Sequence, residues 1–462
     1  ILLPICRRFM TFLRSTRLRF LIPFDITLET HMLVGIVFAI LVLSHTCAHI
    51  CDIVNFAGAD EDDIYALFGD KLGTVPSSRS ARVKLLFQQR SIITGLLMVV
   101  CILVAYPMIL LRRTRFNLFW TTHHLLLVML ILLCIHGTGN LLEPFQSIYW
   151  LIAPFVLYFV PRFLRETKYS TMKVIQAKIK PGECLQIQLE RPKGLLWEKR
   201  VNAGMYAFIN VPEVSRLEWH PFTLTSSPAN DFVEFHFRSV GDWTEKVHAL
   251  FEGQHQQENE DGFNEEDEVN YPLVKVEGPI GASSQGYKDY PVIVLIGAGI
   301  GITPMISVLR NLVENPGKIR RAFFYWTVRD QNALKWFPSI LDDIYDADTS
   351  HIFQIRHFLT SAKYDDRDIG QILLKYAVRA QHKHNDMDLV LGRQAHHMIE
   401  TGRPDWDEEL TSVKEEAKEL GFKKCGIFLC GPLKMAEAVD EASLKLSQQD
   451  SDFHFYFSKE TF

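Results

Sequence analysis

Apolar positions crowd into the first part of the chain as long runs, then give way to shorter patterns. The run 32–54 is broken by ionisable side chains only at His45, His49 and Asp52. Residues 92–111 contain no charge, and 119–135 are polar only at Thr121, Thr122, His123 and His124. A fourth run, 148–160, is extended by Phe163 and Leu164. A bilayer core takes about 20 residues of helix, so the pattern predicts four membrane helices. Residues 1–13 are too short to span and carry Arg7 and Arg8, so they read as the tail of another helix. Beyond residue 170 the period changes. Leu185, Ile187 and Leu189 alternate with polar residues, as do Val233, Phe235 and Phe237, which marks half-buried strands. Turn signals at Pro181-Gly182 and Ser227-Pro228 separate them. From 292–296 onward, short continuous apolar strands alternate with helical stretches. The expected architecture is an α-helical transmembrane domain (1–165), an antiparallel β-barrel (166–288) and a parallel α/β domain (289–462).

Charge adds an orientation. Arg7, Arg8, Arg14, Arg17 and Arg19 precede the first span, Arg112, Arg113 and Arg115 separate the second and third, and Arg162, Arg165 and Lys168 follow the fourth. These sides are expected to be cytoplasmic. The loop 137–146 has no Lys or Arg, whereas 52–91 breaks the pattern with Lys71, Arg79, Arg82, Lys84 and Arg90. The acidic stretch 253–270 reads as a solvated loop or, less simply, a regulatory docking loop. Over the whole chain, 49 basic and 54 acidic residues leave −5, too balanced for a nucleic-acid partner. The 8 Cys form no CxxC pair, which argues against a zinc site or a disulfide framework. The chain starts at Ile1 rather than Met, as a fragment would.

Ionisable groups inside a membrane are expensive and mark function by default. His31 and His45 are fourteen residues apart, which is about 21 Å of helix and within about 40° of one face. His123 and His136 are thirteen apart, about 20 Å. Two stacked pairs follow, His31 with His123 and His45 with His136, each suited to axial ligation of one haem iron. A straight helix would put His123 and His136 about 140° apart, and using His124 instead gives about 120°, so a π-bulge or kink is required between them. Histidines that only hydrogen-bond helices together are the plainer alternative. His49, one turn beyond His45, suits an outer substrate pocket or helix packing equally well.

Downstream, Gly297-Ala298-Gly299-Ile300-Gly301-Ile302-Thr303-Pro304 lies between a strand and a helix, the setting in which backbone N–H groups meet a pyrophosphate. A tight turn would also account for it. Arg329, after the strand-like 323–328, suits an adenosine 2′-phosphate or a plain surface. Cys430-Gly431-Pro432 ends another apolar strand, at the edge where open α/β sheets bind ligands. His220-Pro221-Phe222-Thr223 is a rigid segment fit to run along a flavin. Arg238 and Thr244 offer a cation and a hydroxyl to a pyrophosphate.

Together with the histidine pairs, the stretches LLPICRRFMTFLR (2–14), HPFTLTSSP (220–228), FRSVGDWT (237–244), EGPIG (277–281), IGAGIGITP (296–304), GRPDW (402–406), FLCGP (428–432) and KETF (459–462) resemble the NADPH oxidase family, dual oxidases included, within the wider ferric-reductase superfamily. The resemblance implies a haem-bearing membrane domain followed by FAD- and NADPH-binding domains like those of ferredoxin-NADP reductase. It implies FAD, NADPH and two b-type haems as cofactors, with O2 and membrane lipid as partners, and regulatory or maturation subunits besides. It places the isoalloxazine and ribityl portion of FAD on His220, Pro221, Phe222 and Thr223, and its pyrophosphate on Arg238 and Thr244. Gly297, Gly299, Gly301, Thr303 and Pro304 would cradle the NADPH phosphates. Arg329 and Arg403 would meet its adenosine end, and Cys430, Gly431 and Pro432 its nicotinamide. Phe462 would cover the flavin ring, and His49 would belong to the oxygen site. The implied activity is transmembrane electron transfer from cytosolic NADPH to O2, giving superoxide or hydrogen peroxide, in the plasma membrane or an endomembrane. A ferric or cupric metalloreductase using the same relay, and a non-oxidase membrane assembly subunit, are the alternatives. The family has about six membrane helices, so the first and most of the second, with an Arg that helps hold oxygen, are expected to lie outside this sequence. No EF-hand loop and no peroxidase-like stretch is readable.

Overall fold

The computed structural model divides into two compact units, Ile1–Met10 with Ile26–Leu164, and Thr11–Asp25 with Arg165–Phe462. It describes residues 2–14, 16, 18, 21–22, 24–112, 114–139, 145–192, 197, 201–260, 271–337, 341, 344, 352–361, 387–388, 393–394 and 399–460.

After a short helix α1 (Arg7–Arg14), the first unit is built on α2 (Thr27–Gly58), α5 (Arg90–Ile109), α6 (Phe116–His123), α7 (Leu125–His136) and α8 (Ser147–Lys168). Among the described residues, three stretches are long and apolar enough to cross a membrane: Thr27–Gly58, Arg90–Ile109 and Phe116–His136. The expected fourth is weaker, with an apolar part, Ile148–Leu164, below the length of the others and two internal prolines, Pro154 and Pro161. The 32 residues of α2 make about 48 Å of helix, more than the roughly 30 Å of a hydrocarbon core. Leu33, Ile36, Ile40, Leu43 and Val54 on it are exposed, as apolar side chains that face lipid would be.

The segment between α2 and α5 is more than a loop. It forms α3 (Glu61–Phe68) and α4 (Arg79–Phe87), closed over a small core of Phe56, Ile64, Leu72 and Leu86. Arg82, one of the basic residues that broke the charge pattern, is buried there. Its Nε donates to the Pro76 carbonyl at 2.7 Å, and its guanidinium donates to the Ala59 carbonyl. Glu61 lies 3.7 Å away. The arginine fixes the chain, so its charge is satisfied within the segment.

In the second unit, β1 (Ser170–Met172), β4 (Tyr206–Asn210), β5 (His220–Thr223) and β7 (Val274–Ile280) form one antiparallel sheet in the order β1-β7-β4-β5. Three others, β2 (Val174–Lys180), β3 (Cys184–Glu190) and β6 (Phe232–Arg238), form a second, β2-β3-β6. A bridge between Leu224 and Phe235 joins the two into the expected barrel. The alternating residues Leu185, Ile187, Leu189, Val233, Phe235 and Phe237 all point into its core. Helix α9 (Asp242–Glu260) contributes Trp243, Val247 and Phe251 to the same core.

The nucleotide-binding-type layer consists of β8 (Val292–Ala298), α10 (Thr303–Glu314), β9 (Arg321–Val328), β10 (Phe353–Leu359), a two-residue ladder of β11 (Met387–Asp388) with β12 (Arg393–Gln394), β13 (Ile399–Thr401), α11 (Trp406–Glu419), β14 (Lys424–Cys430), α12 (Leu433–Gln448) and β15 (His454–Glu460). Six of these strands make a parallel sheet, β13-β10-β9-β8-β14-β15. Both faces are covered. Ile293 and Leu295 pack with Met305, Ile306 and Leu309 of α10, while Val292, Val294 and Ile296 pack with α11 and α12. A strand buried on both faces needs no polar face, which is why 292–296 is continuously apolar.

Candidate functional site

In the first unit, α2 carries His31 and His45 on one face. Facing them, His123 ends α6 and His136 ends α7. The ring centroids of His31 and His123 are 6.3 Å apart with planes crossed at 74°, and those of His45 and His136 are 6.4 Å apart at 70°. The interruption between α6 and α7 falls at His124. Its backbone N–H bonds to Thr121 O at 3.3 Å, and its carbonyl accepts from Leu127 N at 2.9 Å, so the i→i−4 ladder tightens there. His124 Nδ1 hydrogen-bonds the Trp120 carbonyl at 2.7 Å, so this ring is turned to its own helix, away from the pairs.

Two facing imidazoles supply two nitrogen donors and no more. Among the described residues no group of three or more His, Cys, Asp and Glu could hold a metal ion. The remaining ligands would have to come with the metal, as they do in a haem. Two metal–imidazole bonds of about 2 Å set the facing nitrogens about 4 Å apart and the ring centroids on the order of 6 Å apart. Both pairs fit a haem iron on these grounds. Beside the second pair lies a cavity of about 530 Å³, lined by His45, His49 and His136 with Phe38, Met98 and Met129. His49 packs on His45 at 4.3 Å, and its Nδ1 is 3.1 Å from Asp52 Oδ2.

In the second unit, β5 is the edge strand that bears His220, Pro221, Phe222 and Thr223. His220 stacks on Trp243 at 4.2 Å, and Phe222 on Phe237 at 4.4 Å, so the strand is held by rings from β6 and α9. Arg238 ends β6, and its buried Nε has no hydrogen-bond partner. An unpaired buried guanidinium nitrogen next to the start of α9 fits an anion such as a flavin pyrophosphate. Thr244 is engaged otherwise. Its hydroxyl accepts from Val240 N and Gly241 N, both at 3.0 Å, and donates to Gly241 O at 2.8 Å, closing the turn that starts α9.

All strands of the six-stranded sheet run one way, so the residues after their C-termini share one edge. Gly297–Pro304 follow β8, Arg329 follows β9, Arg403 follows β13, and Cys430, Gly431 and Pro432 follow β14. Chain order reverses between β8 and β14, where Gly297 pairs with Cys430. Ligands of open α/β sheets bind at such a switch point. The three glycines differ there. A Cβ on Gly297 would stand 2.7 Å from Ile302 Cα, and one on Gly301 2.5 Å from Cys430 O, so both are glycine for packing within the turn. Gly299 has φ +55° with open space around it, so its backbone is the part left clear for a ligand. Thr303 is buried with its hydroxyl on Ile300 O at 3.1 Å, and Pro304 opens α10. Arg329 and Arg403 are exposed. Burial, and next Glu460, push the Cys430 thiol far up, so it stays neutral. Phe462 lies outside the described residues.

Several residues at these sites carried no motif. Glu234 on β6, fully buried, accepts from Gln186 at 2.7 Å, Gln188 at 2.8 Å, Thr225 at 2.9 Å and Arg310 of α10 at 2.7 Å. Ser307 and Glu314, on the same face of α10, reach Ser226 O at 2.9 Å and Ser227 Oγ at 2.6 Å. The helix that starts at the glycine turn is thus fastened to the strand loop of the flavin-type barrel. The available signal was the spacing 307, 310, 314, which puts three polar residues on one side of a largely apolar helix.

Comparison with known proteins agrees with this layout. Residues 2–134 match a family model described as a ferric reductase like transmembrane component, 169–284 an FAD-binding domain, and 290–444 a ferric reductase NAD binding domain. In chain order the matches are thus to a transmembrane component, an FAD-binding domain and an NAD-binding domain, and the first of them overlaps the stretches long and apolar enough to cross a membrane. Respiratory burst oxidase homologs are among the curated proteins it is similar to. Homolog protein D of Arabidopsis thaliana is 32% identical over 515 residues, 100% of this chain and 54% of that protein. Homolog protein E of the same plant is 30% identical over 525 residues, again 100% and 54%. Homolog protein B of Solanum tuberosum is 28% identical, covering 100% of this chain and 57% of that one. The chain spans about half the length of the curated relatives it matches. Among solved structures, a ferredoxin NADP+ reductase from Neisseria gonorrhoeae aligns with TM-score 0.41 and 14% identity over 63% of this chain and 98% of that one.

Proposed function

We propose that this chain is the electron-transferring core of a transmembrane NADPH oxidase that reduces O2 to superoxide or hydrogen peroxide. The observation that carries it is the double histidine pair, at 6.3 and 6.4 Å, on membrane helices followed by flavin- and dinucleotide-binding domains. When bound, FAD accepts a hydride from NADPH and releases single electrons, which two haems carry to the acceptor. His31 with His123 and His45 with His136 hold the two haems. Arg238 meets the flavin pyrophosphate at the N-terminus of α9, with His220–Thr223 along the flavin. The Gly299 backbone, Thr303 and Pro304 take the NADPH phosphates, Arg329 and Arg403 its adenosine end. Cys430, Gly431 and Pro432 border the nicotinamide, the neutral thiol offering no competing nucleophile. Phe462 would cover the flavin ring. His49 lines the cavity beside the second pair, where it would belong to the oxygen site. The arginine-flanked helix ends support reductase domains on the cytosolic side of the plasma membrane or an endomembrane. Regulatory or maturation subunits complete the assembly.

The test is NADPH-driven oxygen consumption by the full-length protein in FAD- and haem-loaded proteoliposomes, with cytochrome c reduction sensitive to superoxide dismutase read on the trans side. A trans signal that disappears in His45→Leu is expected. A ferric reductase domain match favours one second reading, a metalloreductase with the same relay. NADPH oxidation without oxygen use, but with dismutase-insensitive reduction of a ferric chelate, would establish that reading instead. NADPH and FAD binding with no haem spectrum would indicate an assembly subunit.

A further inference from the structure

The two histidine pairs are not equivalent. His136 Nδ1 is 3.0 Å from the hydroxyl of Thr94, a buried residue of α5. That hydroxyl also lies 2.8 Å from the Arg90 carbonyl and 3.2 Å from the Ser91 carbonyl. A hydroxyl has one proton and two lone pairs. Carbonyls only accept, so the Thr94 proton goes to one of them and a lone pair of its oxygen is left to receive Nδ1–H of His136, which the Ser91 carbonyl also accepts. The tautomer is thereby set, with the lone pair on Nε2. The next residue, Gly95, clears the place for this ring, since a Cβ there would stand 3.3 Å from His136 Cε1. His123 has no equivalent, because its buried Nδ1 makes no hydrogen bond.

We propose that Thr94 is a positioning residue for the His45–His136 site, fixing the tautomer and orientation of His136 and making it the more basic ligand of the two α6–α7 histidines. The inference rests on the haem reading of the pairs. An N–H held by an acceptor makes imidazole a stronger donor, which favours the oxidised metal. The haem on the His45–His136 pair therefore has its potential lowered by Thr94, while the other is untouched. Helix-to-helix fastening of α5 to α7 by the same hydrogen bond would not discriminate between the two haems.

The experiment is a spectroscopic redox titration of the purified, haem-loaded full chain, with haem content measured in parallel. Thr94→Val keeps the shape and removes the side-chain acceptor, leaving His136 only the Ser91 carbonyl. Its expected result is an upward shift of one of the two midpoints, and haem affinity at that site weaker on the order of 10- to 100-fold. Thr94→Ser is expected to restore both. Gly95→Ala, which crowds the ring and leaves the hydroxyl, is expected to perturb the same component. Unchanged midpoints and haem content in Thr94→Val would overturn the inference, as would equal shifts of both haems or failure of Thr94→Ser to rescue. A wild-type chain that binds no haem with bis-imidazole spectra would sink the parent reading itself, which keeps the two failures apart.

Discussion

A Cβ on Gly301 would stand 2.5 Å from the Cys430 carbonyl oxygen, and backbone cannot swing aside as a flexible side chain does. Gly301→Ala is therefore expected to destabilise the α/β domain by about 1–3 kcal/mol, the usual range for overpacking. NADPH affinity should fall with it, because β8 and β14 are pushed apart at the switch point. Thermal unfolding and a nucleotide titration check this. Unaltered stability with an unaltered nucleotide affinity would show that the turn has slack the geometry denies. The residue scale also separates look-alike histidines. His123 and His124 are adjacent in sequence, yet one faces His31 and the other bonds the Trp120 carbonyl of its own helix.

At the scale of elements, α10 joins the two domains of the second unit through Ser307, Arg310 and Glu314. Burial alone would raise the Glu234 carboxyl, but His236, Arg310 and Gln188 outweigh it and hold it from its ordinary 4.5 down to about 2. Burial also takes the His236 imidazole from 6.5 to about 4, against the pull of Glu234. At neutral pH the ring is thus uncharged, and Arg310 is the effective counter-charge. Both folded values lie below the unfolded ones, so the unfolded chain binds more protons on the acid side. The His236 contribution is lost as pH falls from 6.5 towards 4, and that of Glu234 from 4.5 towards 2. Arg310→Met leaves a buried carboxylate unpaired and is expected to cost about 3–5 kcal/mol. Its acid sensitivity should also shrink, because Glu234 without its partner no longer has a depressed pKa. Denaturation curves at several pH values measure both effects, and a wild-type-like acid limb in the variant would refute the assignment.

For the whole molecule, two separate pairs on a shared helix predict a simple count. His31→Leu and His45→Leu are each expected to lose one haem and keep the other, by pyridine haemochrome and difference spectra, since the pairs are about 21 Å apart along α2. Either change is expected to abolish trans-side reduction. Loss of both haems from one substitution would mean that the pairs fold as one unit. The double pair itself was legible in the sequence because helix rise converts residue number into depth. The mismatch between depth and angle was legible too, and the helix is interrupted at His124 between the two histidines. The segment 52–91 was not: its basic residues looked like an exception to the charge rule, and only the folded chain shows Arg82 buried and bonded to Pro76 and Ala59.

By itself the sequence determined that apolar helices come first, three of the four expected spans, the strand periodicities after them and the depth matching of the histidine pairs. These depend on local repeat lengths of 3.6 and 2, which a linear string carries. Only the tertiary structure decided which glycine backbone faces a ligand, which nitrogen of His136 is held by Thr94, and that Glu234 meets Arg310 seventy-six residues away. Such contacts depend on how separate elements pack, and no local pattern encodes the partner of a buried polar group. The burial that makes an unpaired group so costly is itself a product of that packing.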